Sequence, residues 1–192
     1  LEEETQNFVA VAERNTNTLM TLISDLLDMS QLEKGELDFE FSTFDLITAV
    51  QECVDQANTT TSKDTNRVTL NTVSAPQNIY ADRFHMRKAI SALIENALRY
   101  SPPDTPVSID LSPSLDTVGV EVTDRGTGIP LRDRARVFKK FVKLSEPGMA
   151  RGTGLGLSIA KKVIEAHGGE IGIRSNAPQG THVHFEIPRT LL

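Results

Sequence analysis

Tryptophan is absent from these 192 residues, cysteine occurs once, and only 5% of the chain is aromatic. The lone Cys53 excludes an intrachain disulfide. Long apolar runs are missing too: the stretch 18–27 is broken by Ser24 and Asp25, so no segment reaches the roughly 20 apolar residues of a membrane-spanning helix. There is no block of five like charges, and 20 Lys+Arg stand against 26 Asp+Glu for a net charge of −6. That balance argues against a nucleic-acid partner. Internal repeats and low-complexity tracts are also lacking. The chain starts at Leu1 rather than Met, which leads us to expect part of a longer protein, with any targeting segment, membrane anchor or sensor domain upstream. The portion in hand is expected to be cytoplasmic, without membrane contact of its own. What remains is ordinary globular composition, 39% hydrophobic and 24% charged, in a chain long enough to enclose a core without metal or disulfide.

Residues 2–34 contain neither Gly nor Pro and place Phe8, Ala12, Asn15, Leu19, Leu22, Leu26 and Met29 at alternating steps of four and three. This is a heptad seam, widened by Ile23 and Leu27 as in a bundle helix, and it predicts a dimerising helix closed by Gly35. A boundary near Gly35 divides the chain into 1–35 and 36–192. Leu37, Phe39 and Phe41 alternate with acidic residues, predicting a half-buried strand. A helical stripe over 45–57 carries Cys53 as a small core residue, and 58–66 reads as a loop. Further strands are predicted at 68–73, 107–111, 118–123, 170–174 and 182–187, and helices at 83–100, 131–138 and 154–167. This alternation predicts an α/β fold of the α+β two-layer kind, a mixed sheet covered on one face by helices.

Three segments carry chemistry. Asn96, Arg99 and Tyr100 lie close together at helical spacing, an amide oxygen and a cation suited to a metal-bound polyphosphate. Asp124-Arg125-Gly126-Thr127-Gly128 follows a predicted strand. It reads either as a carboxylate beside a flat ligand with an exocyclic amine, or as a tight turn. Gly152-Thr153-Gly154-Leu155-Gly156 opens a helix, where free backbone N–H groups attract anions, but lacks the Lys-[Ser/Thr] ending of a P-loop. His182 and His184 share one face of the last predicted strand. No further Cys, His or carboxylate completes a ligand set around them, so a solvated face is the expectation.

In this order, and with 28 residues from Asn96 to Asp124 and 28 from Asp124 to Gly152, the three segments resemble the ATP-binding domain of sensor histidine kinases of two-component systems. They match its asparagine box and two glycine boxes. Val137-Phe138-Lys139-Lys140-Phe141 looks like the phenylalanine box, and His167-Gly168-Gly169 and Gly180-Thr181 follow as in the family. Asp25-Leu26-Leu27-Asp28 and Leu32-Glu33-Lys34-Gly35 resemble the second helix of the dimerisation and phosphoacceptor domain. The resemblance implies ATP and Mg²⁺ as cofactors, with Asn96 holding the metal and Asp124 reading the adenine amine. Arg99 and Tyr100 would line the site, Gly126 and Gly128 shape the adenine pocket, and Gly152, Gly154, Leu155 and Gly156 approach the phosphates. Thr181 would support adenine from below, and 143–151 would form a lid. Implied partners are a response regulator receiver domain and, through helix 1–35, a second copy of the chain.

Two departures stand beside these matches. Ala92 occupies the position four residues before Asn96 where the family carries an asparagine, and where related hydrolases carry a glutamate that activates water. The family's phosphoacceptor histidine precedes the helix that begins this chain and is not among the 192 residues. Both features leave a degenerate kinase, acting as a dimerising or regulatory nucleotide-binding module, as the alternative reading.

Overall fold

The computed structural model describes residues 2–61, 66–71, 75–144, 153–175 and 180–190, in two units, Leu1–Leu37 and Asp38–Leu192. The first is a single helix, α1 (Glu2–Lys34), about 50 Å long at 1.5 Å per residue. It stops where Gly35 donates to Leu32 O and Glu36 to Gln31 O, the six-to-one closure of a glycine-ended helix. Phe8, Leu19, Ile23, Leu26 and Leu27 along its stripe are exposed.

The second unit is built on a five-stranded sheet in the order β2-β4-β5-β7-β6. Its strands are β2 (Val68–Asn71), β4 (Val107–Pro113), β5 (Thr117–Thr123), β6 (Glu170–Ser175) and β7 (Thr181–Pro188). β2 runs parallel to β4 and every other neighbour is antiparallel. Period-two alternation buries Val107, Ile109 and Leu111, Val118, Val120 and Val122, and Val183, Phe185 and Ile187 on one face. Glu121, Thr123, His182 and His184 occupy the other, less buried face, as the alternation predicted. Helices α2 (Leu46–Thr61), α3 (Arg83–Tyr100) and α4 (Gly156–Ala166) cover the apolar face, with α3 packed against both of the others. A separate antiparallel pair, β1 (Phe41–Asp45) and β3 (Asn78–Asp82), joins the main sheet through Tyr80 N, which donates to Arg189 O at 2.8 Å.

Helix α3 sets the site. Asp82 caps its N-terminus, accepting from His85 N at 2.9 Å. Met86, Ala89, Ile90, Leu93, Ile94 and Ala97 form its buried stripe at steps of three and one. Ser101 N closes on Ala97 O just before Pro102, which cannot continue the helix. The stripe turned to the core leaves Asn96, Arg99 and Tyr100 for the cleft described below. Cys53 is a free, buried core side chain, as its place on the α2 stripe implied.

The structure corrects several element boundaries. Residues 37–40 alternate in exposure as a strand would, yet ladder pairing starts only at Phe41. Glu40 N donates instead to the Asp82 carboxylate at 2.8 Å, and the Phe39 ring packs edge-on against His85 and His167. The region 58–66 is not all loop: α2 continues to Thr61 because both ends of the Asn58 amide bond Val68, Nδ2 to its O and Oδ1 from its N, each at 2.9 Å. The helix expected over 131–138 is one 3₁₀ turn, Leu131–Asp133, followed by further turns. Leu131 is exposed and Val137 is the one fully buried apolar residue there, too little to seat a helix. Helix α4 begins at Gly156 rather than Gly154, and β3 was not foreseen.

Candidate functional site

The ends of α3, β5 and β7 surround a cleft of about 790 Å³. Asn96, Arg99 and Tyr100 face it from α3, Asp124 from the end of β5, Thr181 from the start of β7, and Gly128 from the intervening loop. Six residues singled out in the sequence thus meet on one surface although they span 85 positions of the chain.

Asp124 is the most constrained of them. It is 4% exposed, and its Oδ1 accepts from Gly126 N at 2.7 Å and Thr181 N at 3.2 Å. Its own N–H donates to Thr181 O at 2.9 Å. Burial pushes its carboxyl above the ordinary aspartate range, and the bonds from Gly126 and Thr181, together with nearby His182, offset that only in part. A side chain held this way cannot rotate, and it presents a desolvated acceptor to the cleft.

Two glycines make this possible by letting backbone pass close to backbone. A Cβ on Gly126 would stand 2.9 Å from both Tyr100 C and Asp124 Oδ1, and nearer still to Tyr100 O. Gly180, at φ +108°, would place one 3.0 Å from Asp124 C. Gly126 therefore shapes the site from behind Asp124 instead of lining it. Gly156 opens α4, where an added Cβ would meet only Ala92 Cβ, at 3.6 Å. Leu155 is fully buried in the core. Gly152 lies outside the described residues, as does 145–151 of the proposed lid.

Several cleft residues escaped the sequence reading. Arg132, Asp133 and Arg136 line it, with Asp133 between Arg132 Nε and Arg136 Nη1 at 3.5 Å each. Ile129 and Pro130, which continue the second glycine segment, and Leu157, which continues the third, line it as well. The signal was available: three arginines and an aspartate crowd 132–136, immediately after the second glycine segment. Four cations, Arg99, Arg132, Arg136 and Lys143, thus face the cleft against the carboxylates of Asp124 and Asp133. The balance suits an anionic ligand in a chain that is acidic as a whole. Among the described residues no three His, Cys, Asp or Glu side chains cluster as a metal site. No described helix is long and apolar enough to cross a membrane.

A layered α/β unit with a cationic cleft and a pinned carboxylate at the strand ends defines a nucleotide-binding type of domain. Residues 81–191 match the family described as histidine kinase-, DNA gyrase B-, and HSP90-like ATPase, and the chain belongs to it. Among its relatives, the signal transduction histidine-protein kinase/phosphatase MprB of Mycolicibacterium vanbaalenii is 31% identical over 176 residues, covering 88% of this chain. The chain spans about a third of that protein, 35% of its length. The catalytic domain of histidine kinase ThkA, in a nucleotide-free form, aligns at 26% identity with a TM-score of 0.67 over 80% of this chain and 100% of that one. Full-length ShkA in complex with AMPPNP shares the fold, with a TM-score of 0.82 at 23% identity over 98% of this chain and 40% of that one. Residues 81–191 accordingly carry an ATP-binding catalytic domain of the histidine kinase kind.

Proposed function

We propose that this chain is the core of a sensor histidine kinase. Its cleft binds Mg-ATP and presents the γ-phosphoryl for transfer to a histidine outside these residues, for relay to an aspartate of a response regulator receiver domain. The observation that carries the reading is Asp124. Its Oδ1 is fixed by two backbone donors at the cleft wall, which suits the carboxylate to accept from the adenine amine. Thr181 supports it from β7, and Gly128 lets the base approach. Arg99, Tyr100 and Arg136 border the polyphosphate, and Gly154 and Gly156 flank the start of α4, whose free backbone N–H groups suit a phosphate.

Asn96 supplies one neutral oxygen to Mg²⁺. One protein ligand would be enough, since Mg²⁺ commonly keeps several waters and binds phosphate oxygens. When bound, the metal would offset negative charge on the polyphosphate. The protein's own contribution is orientation, exclusion of water from the adenine end, and cationic stabilisation of the phosphates. Residues 1–35 serve as the second helix of a dimerisation and phosphoacceptor bundle, the exposed α1 stripe pairing two copies.

The test is calorimetric titration with a non-hydrolysable ATP analogue, with Mg²⁺ and then with chelator. Binding is expected for the parent, weaker after chelation. For Asp124→Asn, which turns an amide donor toward the adenine amine, a loss of about tenfold to a hundredfold is expected. Unchanged affinity in that variant would remove the basis of the reading. A degenerate, regulatory module is the second reading, favoured by Ala92. In Ala92→Asn, a large gain in phosphotransfer to a supplied acceptor helix would mark the natural site as impaired.

A further inference from the structure

The rim of the cleft holds a backbone feature that neither the motif reading nor the assignments above use. Phe141 has φ +59°, alone among the described non-glycine residues in the left-handed region. Phe141 is 61% exposed, so burial does not hold it there. What does is a bond: Phe141 N donates to Gly154 O at 2.9 Å. Gly154 lies at φ +74°, and an added Cβ there would stand 3.0 Å from both Phe141 Cα and Phe141 C. Two left-handed residues, 13 positions apart, therefore seat backbone on backbone. Directly after Phe141 the chain runs through Val142, Lys143 and Leu144, all of which line the cleft.

We propose that Phe141 is a positioning residue for nucleotide binding, acting through its left-handed backbone and not through its ring. Fastened to Gly154, that conformation turns the chain so that residues 142–144 form one wall of the cleft. A right-handed or extended φ at this position would rotate the following peptides by more than a quarter turn and carry Lys143 away from the cleft. Gly154 on this account is a glycine because Phe141 needs the space. The inference rests on the Mg-ATP reading for its ligand, but not for the geometry it describes.

The test compares two substitutions in the full chain that both delete the ring. Phe141→Asn keeps a residue that tolerates the left-handed region, and Phe141→Val introduces a β-branched residue that resists it. Two quantities are measured: affinity for the non-hydrolysable ATP analogue with Mg²⁺, and amide hydrogen exchange over 141–144 without nucleotide. The valine variant is expected to bind about fivefold more weakly and exchange several-fold faster, with the asparagine variant within about twofold of the parent in both. Gly154→Ala, which strains the other partner of the same bond, should move both readouts in the valine direction. Equal behaviour of the valine and asparagine variants would overturn the proposal, because tolerance of the left-handed backbone would then make no difference. Should the parent bind no nucleotide, the Mg-ATP reading fails. The exchange comparison would still decide the backbone role: faster exchange in valine than in asparagine upholds it, and equal exchange overturns it.

Discussion

Gly126→Ala offers the sharpest test of how the site is built. The new Cβ would stand 2.9 Å from Tyr100 C and from Asp124 Oδ1, where ordinary van der Waals contact begins near 3.4 Å. At least half an ångström must be found, and neither neighbour yields easily. Tyr100 is the last residue of α3, held by the buried stripe behind it, and Oδ1 is bonded by Gly126 N and Thr181 N. Overpacking of this kind costs about 1–3 kcal/mol. In a chain of this size each kcal/mol lowers the melting temperature by about 2–4 °C, so a drop of roughly 2–12 °C is expected in the absence of ligand. Because the displaced groups are the Asp124 carboxylate at the cleft wall and the end of the helix that carries Asn96, affinity for the ATP analogue should fall as well. Thermal denaturation followed by circular dichroism, alongside calorimetry, measures both. A variant that melts with the parent and binds like it would refute the claim that close backbone approach at Gly126 fixes Asp124.

Other expectations follow from the same geometry. Gly156→Ala adds a Cβ in ordinary contact with Ala92 and removes a glycine from a helix, so it should raise stability by about 0.5–1 kcal/mol. If that glycine lets the chain approach phosphate, the same variant should lose affinity for the analogue, and a gain in melting temperature without any loss of affinity would remove the phosphate role. His167 is buried; its Nε2 accepts from Asp82 N at 3.0 Å, and its Nδ1 lies 2.7 Å from Val163 O as donor. Burial holds its pKa below 6.5, so the unfolded chain takes up a proton that the folded one resists. The stability this contributes is present above pH 6.5 and lost as pH falls below it, and melting of the parent and of His167→Gln across pH 7.5 to 5.5 should show the steeper fall in the parent. Asp82→Ala removes the α3 cap together with the acceptor for Glu40 N, and chemical denaturation should register a loss of about 1–3 kcal/mol.

The parts of this structure that the sequence disclosed are those where one physical signal acts alone. Helix α3 has both a full apolar stripe and a proline just beyond its end, and its bounds were read as they stand. Strands β4 and β7 alternate because one face is covered and the other is less so, and β5 follows the same rule except at buried Gly119. Strand β3 stayed hidden because Asp82 serves twice, as the last strand residue and as the helix cap, leaving only Ile79 and Ala81 as an apolar signal. The stretch after Gly35 misled because Glu40 takes a side-chain partner in place of a ladder partner, which no local pattern reveals. In the site, Asn96 stood out by its helical spacing to Arg99 and Tyr100, Asp124 by the glycines that follow it, and Thr181 only through the family resemblance; all three line the cleft. The Asp133 cluster was written in the crowded charges of 132–136, whereas the left-handed turn at Phe141 depends on where the chain doubles back, which residue types alone do not state.

Strand β7 comes last of the described strands in chain order, yet it sits inside the sheet between β5 and β6. A chain emerging from the ribosome therefore exposes the β5 edge for about 60 further residues before its neighbour arrives, several seconds at roughly 5–20 residues per second. Through that interval Asp124 has its Gly126 partner but not Thr181, and the cleft lacks one wall. Nucleotide competence is thus acquired only at the completion of this unit. Unfinished chains should not compete with finished ones for ATP.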